Sequence, residues 1–301
     1  MSSRPAALAF VAAIIAMIFW GGTAVANRYA VGFIDPITVA TLRTCLAGSV
    51  ALVIALALRM PLPTTRRDQF LLVLVGLIGF AIWPLTISLA LAKTTASHAA
   101  LIIATMPVMT VLVASFVHRT IPPIAWWLGG AAALSATAIL IIYRDGSLTV
   151  ADPSAAFVGD LTILGGCVLC SIAYVMAAKL TPKIGSFATT FWALSVALVI
   201  TAPIFAYSQQ QTDWTTVPAT AWWSLAWLTI CSSLLGSVLW FFALARGGIE
   251  KIGSLQMLMP VFTLFGAVWV LGEVLTLQLI ALSALVLAGT YVAHRYSNRD
   301  K

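Results

Sequence analysis

The sequence predicts an all-α integral membrane protein in which ten transmembrane helices form two inverted five-helix repeats. Three observations carry that prediction: an extreme apolar composition, apolar runs of membrane-spanning length, and an internal duplication. Of the 301 residues, 61% are hydrophobic and only 8% are charged. A soluble domain of this length keeps a polar exterior and has no place for so much apolar surface. Lipid is the solvent that suits such a chain. The formal charge of +7 would suggest nucleic acid in a soluble protein. Here the positive-inside rule accounts for the basic residues, no RNA- or DNA-binding motif is present, and no nucleic-acid partner is expected.

Apolar segments close to the ~20 residues that cross a bilayer fall at residues 6–27, 36–58, 70–91, 96–117, 124–143, 160–180, 187–207, 221–244, 252–271 and 276–294. The first lacks a small-residue cleavage site and runs on through Trp20, so it is expected to be a retained helix. The connections are short and carry the Pro, Asp, Lys and Arg residues. Even the longest polar gaps, Arg144–Gly159 and Ser208–Thr220, are too short to be separate domains.

The stretch Leu89–Thr110 occurs twice. A shift of 153 positions carries it onto Phe242–Thr263, Ala90-Leu91-Ala92 onto Ala243-Leu244-Ala245, Met106-Pro107-Val108 onto Met259-Pro260-Val261, Lys93 onto Arg246 and Thr110 onto Thr263. A basic residue and a Met-Pro-Val in one register mark a duplication, with halves at residues 1–150 and 151–301. Five crossings separate the fourth and ninth segments, an odd number, so the repeated unit runs in opposite directions in the two halves. Inverted repeats of this kind are a transporter architecture. Loop charges set the orientation. With the N-terminus inside, Arg4, Arg59, Arg66, Arg67, Arg119, Lys179, Lys183, Arg246, Lys251, Arg295, Arg299 and Lys301 are cytoplasmic, against Arg28, Lys93 and Arg144 outside. Both termini are then cytoplasmic.

Phe19-Trp20-Gly21-Gly22 with Asn27-Arg28, Arg43 in the second span, the two Ala-Leu-Ala and two Met-Pro-Val elements, and Leu271-Gly272-Glu273 before a small-residue tenth helix together resemble the drug/metabolite transporter superfamily over nearly the whole chain. Within it the chain is most similar to the YddG-type bacterial exporters of aromatic and other amino acids. The resemblance implies ten helices in a bacterial inner membrane, a central cavity lined by helices 1, 3, 4, 6, 8 and 9, alternating access, and no prosthetic group. It implies amino acids as solutes; other drugs or metabolites of the superfamily are the alternative. One departure is His118-Arg119-Thr120 in the first half, where the second has Leu271-Gly272-Glu273, which leaves the acidic residue without a symmetric counterpart.

The residues themselves suggest roles. Pro107 and Pro260 lie mid-span, where proline removes a donor and displaces the carbonyl four residues back, of Ile103 and Gln256; they are hinge candidates. Helical spacing aligns Trp20, Thr23 and Asn27; Phe80, Trp83 and Ile87; Ser171, Tyr174 and Ala178; and Thr229, Ser233, Gly236 and Trp240. With Gln256 and Met257, these stripes supply the candidate lining of a cavity for a small molecule with an apolar side chain. Trp126, Trp127, Trp222 and Trp223 near span ends fit an interfacial belt. Ionisable residues within spans are functional candidates: Arg43 and Glu273 are expected to form a structural or gating ion pair near the outer side, and His98, a further gating candidate, to hydrogen-bond there. Cys167-Val168-Leu169-Cys170 has redox spacing but sits in an apolar helix, where thiols act as small hydrophobes. No G-x-x-x-x-G-K-[ST] loop or H-E-x-x-H, G-x-S-x-G or G-x-G-x-x-G motif occurs. His98, His118 and His294 are too scattered to form a catalytic pair, so an intramembrane enzyme or a scaffold ranks below a transporter. No enzyme activity, cofactor, metal or obligatory protein partner is expected; the partners are the solute and the bilayer.

Overall fold

In the computed structural model, which describes residues 3–143, 152–247, 252 and 254–297, the chain is all-helical, with no strand among the described residues. Among the described residues, nine helices are long and apolar enough to cross a membrane, and a tenth apolar helix is shorter. We label them α1 (Ser3–Ala30), α2 (Pro36–Ala57), α3 (Arg66–Leu91), α4 (Ala96–His118), α5 (Ile124–Ile142), α6 (Pro153–Ile184), α7 (Ser186–Ser208), α8 (Ala219–Leu244), α9 (Leu255–Leu271) and α10 (Leu277–Ser297). The boundary expected between residues 150 and 151, and the cations Arg144, Lys251, Arg299 and Lys301, lie outside the described residues.

Helix boundaries depart from the hydropathy reading where polar side chains cap a start. Thr65 accepts a hydrogen bond from the Asp68 amide, and its hydroxyl reaches the Asp68 carboxylate, so α3 begins at Arg66 instead of residue 70. Asp152 accepts from the Ser154 amide, and Pro153 occupies the first turn, where a missing N–H costs nothing. The sixth helix therefore begins at Pro153, and Asp160, read as the edge of the span, lies well inside it.

The interior is sealed by small residues. A Cβ on Gly129 of α5 would meet the Gly289 carbonyl of α10 at 2.6 Å, and one on Gly48 of α2 would meet the Leu194 carbonyl of α7 at 2.7 Å. Such close backbone approach is how helices pack in lipid, where apolar burial drives little association. Large apolar side chains face outward instead: Phe116 is 88% exposed and Trp269 77%. Trp127, Trp222 and Trp223 are exposed, as an interfacial belt requires, whereas Trp126 is buried beside Val108, Ala133 and Ala293. Its indole packs into the α4–α5–α10 contact because small residues there leave room for it.

Three irregularities recur 151–153 residues apart. A π-helical segment interrupts α3 at Gly76–Ile82 and α8 at Trp227–Leu235. In α4 the helix stops at Ile103 and resumes at Met106; in α9 a 3-10 turn, Ser254–Met257, precedes the α-helix that starts at Leu258. Left-handed caps end both helices, at Arg119 (φ 55°) and Gly272 (φ 68°). Cross-helix contacts give the senses. Thr94, just before α4, and Thr110 within it meet Asp160 and Ser171 of α6, so those helices run parallel. Thr263 and Gly266 of α9 meet Gly21 and Val25 of α1, again parallel. Along α1 and α8, Thr23 meets Ser232 and Tyr29 meets Thr220, an antiparallel pair.

Candidate functional site

The first turn of α4 presents backbone donors that no helical carbonyl can satisfy. Thr95 caps it by accepting from the His98 amide. The Ala96 and Ser97 amides, 2.8 and 2.9 Å away, donate to the two oxygens of Glu273, which also accepts from the Ser97 hydroxyl. Glu273, 8% exposed, lies just past the left-handed Gly272 that ends α9. A carboxylate at a helix N-terminus is stabilised both by these donors and by the helix dipole. The expected pairing with Arg43 is therefore not formed: Arg43 instead donates to the Ser233 hydroxyl at 3.3 Å. The physical reason is reach. Arg43 sits where α2 packs on α8, while Glu273 turns from α9 onto the start of α4.

One turn further, His98 Nδ1 lies 3.0 Å from Asp160, whose other oxygen accepts from the Thr94 hydroxyl; both His98 and Asp160 are buried. His98, expected near the outer side, is buried, with Asp160 as its partner. Glu273 and Asp160 together fasten the start of α4 to α9 and α6. At the other end of α6, Lys183 Nζ sits 2.7 Å from both Asp68 oxygens, but the Lys183 side chain is 56% exposed. Solvent at Lys183 screens that pair, whereas the contacts at the start of α4 are shielded from water and each holds a carboxylate with more than one donor. The α4 end is the firmer latch.

The prolines do not kink continuous helices; each lies in the first turn of the helical segment that follows a break. Carbonyls freed there are taken by hydroxyls: Thr105 donates to Ile102 at 2.6 Å and Thr290 to Ala104 at 3.3 Å. At equivalent depth Thr110 donates to Ser171 of α6, and Thr263 donates to the Gly21 carbonyl of α1. The π segments free carbonyls in the same manner. Phe80 O accepts from Thr44, and Ser232 O accepts from the Trp20 indole.

The cavity candidates divide. Trp20, Thr23, Phe80, Trp83, Ser233, Gln256 and Met257 are partly buried, and Tyr174 is exposed although it lies mid-helix. Asn27, Ser171 and Trp240 are buried. The Trp20 and Trp240 rings lie 5.5 Å apart, tilted by 51° to one another, with Gly236 leaving space for the Trp20 ring; Trp83 packs over Gly166 of α6. A separate groove of about 670 Å³ between α1, α8 and α9 is walled by Gly22, Val25, Trp227, Phe262 and Phe265. It includes none of these candidates. Cys167 and Cys170 are buried packing residues.

Sequence reasoning missed Asp160, Thr94, Ser97 and Ser232. Asp160 carried a signal, being an acid within a long apolar stretch. Thr110 and Thr263 were visible as a matched pair, but only as a mark of duplication.

The model of the EamA-like transporter family matches this chain twice, at residues 7–142 and 157–294. The uncharacterized transporter YdeK of Bacillus subtilis is 30% identical over 287 residues, covering 94% of this chain and 96% of its own. The uncharacterized transporter YyaM of the same organism is 22% identical over 290 residues, 94% of each chain. A solved crystal structure superposes with a TM-score of 0.66 at 18% identity, covering 97% of this chain and 98% of that one, a likeness of fold.

Proposed function

This chain belongs to the EamA-like transporter family, and from that premise we propose that it is a secondary exporter of amino acids, aromatic ones included, in a bacterial inner membrane. It works by alternating access between two inverted five-helix halves, residues 1–150 and 151–301, with both termini cytoplasmic. The observation that supports this reading best is the recurrence, 151–153 residues apart, of the π segments, the α4 and α9 breaks and the left-handed caps. Helices that must bend are weakest where the regular ladder is interrupted, and here both halves are interrupted at the same places. Parallel contacts of α4 with α6 and of α9 with α1 give each half an equivalent pivot against the other.

In this state the end bearing Ala96 and Glu273, external in the proposed orientation, is closed by the buried latch. Opening it requires α4 to leave Glu273 and Asp160, and the break at Ala104–Thr105 lets its first half move separately. Partly buried Trp20, Trp83, Phe80 and Met257 offer aromatic and apolar surface to a solute side chain, with Thr23, Ser233 and Gln256 as polar contacts. The test is competitive uptake into liposomes at matched protein levels. Trp83→Ala and Trp240→Ala are expected to weaken phenylalanine and tryptophan transport about tenfold while sparing threonine. Equal losses for all three would assign these tryptophans to the fold and remove them from selectivity.

A further inference from the structure

Asn27, Arg43 and Thr229 keep hydrogen-bonding atoms without partners in the interior, on α1, on α2 and on the π segment of α8 against which both of those helices pack. Asn27 is fully buried, and neither its carboxamide oxygen nor its nitrogen has a partner. Arg43, 7% exposed, uses one terminal nitrogen on Ser233, and its Nε is unpartnered. Thr229, 6% exposed, has an unpartnered hydroxyl. Buried polar atoms without partners are rare and require a reason.

Their relative positions follow from the contacts of the residues beside them. Arg43 is bonded to Ser233, and the adjacent Ser232 lies 2.7 Å from Thr23. Because α1 and α8 run antiparallel, one turn along α1 from Thr23 brings Asn27 level with Thr229. Ser88, also buried with an unpartnered hydroxyl, lies on the part of α3 that packs on α1 and α2. The charge balance points the same way. A guanidinium stays protonated, and Arg43 has no ion pair among the described residues. The buried acids Glu273 and Asp160 are each held by donors elsewhere.

We infer that Arg43, Asn27 and Thr229 form the binding site for the carboxylate of the transported solute. This rests on the reading of the chain as a carrier of small solutes and names the group it recognises. The guanidinium supplies a directional, permanently charged donor that matches carboxylate geometry, and the Asn27 amide and Thr229 hydroxyl add neutral donors. The Asn27 oxygen is left to accept from a neighbouring ammonium. The site borders the π segment of α8, the part of that helix whose ladder is already open.

The test uses the purified full-length chain and its tryptophan fluorescence, titrated with L-phenylalanine, L-phenylalaninamide and sodium chloride in chloride-free buffer. Phenylalanine is expected to bind at least about tenfold tighter than its amide, as loss of charge-assisted bonds implies. Arg43→Gln should erase that ratio. Asn27→Asp, which puts a carboxylate inside the site, should abolish phenylalanine binding while raising the thermal midpoint, and it tests the site even if Arg43→Gln fails to fold. Equal affinity for acid and amide, discrimination that survives both substitutions, chloride that displaces phenylalanine at equal concentration, or no binding of phenylalanine at all would overturn the inference. Liposome flux separates the two readings: flux indifferent to the carboxylate defeats the site and leaves the carrier, whereas binding that follows these rules without flux defeats the carrier and leaves the site.

Discussion

Glu273→Ala is expected to open the start of α4. The substitution strands the Ala96 and Ser97 amides and the Ser97 hydroxyl, all bonded to the carboxylate in a buried setting. Hydrogen bonds to a charged group contribute about 1.5–3 kcal/mol each, not additively, and the helix dipole loses its counter-charge. A net loss of about 3 kcal/mol corresponds to roughly a hundredfold shift toward the open arrangement. Hydrogen exchange reads this directly: protection of the Ala96 and Ser97 amides should fall by about that factor, with α2 and α7 unaffected. Unchanged protection would show that Thr95 capping alone holds the helix end. Glu273→Gln, which keeps one acceptor oxygen, should fall between the two.

The second large effect is expected at Asp160. Removing this carboxylate strips His98 and Thr94 of a partner inside a fully buried cluster, and each buried polar group left unsatisfied costs about 1–3 kcal/mol. Asp160→Ala should therefore lower the thermal midpoint strongly, and His98→Ala should lower it less. Groups in contact do not act independently, so the double variant should be about 0.5–3 kcal/mol more stable than the sum of the singles predicts. Strict additivity would mean that His98 and Asp160 are neighbours without a shared role.

The sequence made the class of molecule and most spans legible because hydropathy period and length are strong signals in a chain that meets lipid on all sides. Its errors followed from local chemistry. Thr65 with Asp68, and Asp152 with Pro153, start helices earlier than apolarity does, and the second shift hid Asp160. The latch was illegible for another reason: Glu273 meets a helix start 176 positions away, and no periodicity reports which acid reaches which amide. Arg43 and Glu273 looked like partners because both are ionisable residues placed near one membrane face, a placement by depth that carries no information about which helices adjoin. The duplication was legible, yet the coincidence of π segments was not, since Gly76–Ile82 and Trp227–Leu235 share no motif that marks a ladder interruption.

The central claim, that two equivalent halves expose one site to each side in turn, is tested most directly by counterflow. Liposomes containing only the purified chain are loaded with unlabelled phenylalanine and diluted into a trace of labelled phenylalanine. An alternating-access carrier returns from each outward delivery with labelled solute, so label should accumulate transiently above its external concentration and then decay. The latch variant Glu273→Ala should change the rate of that rise. Uptake that only equilibrates, with or without internal solute, would contradict the account.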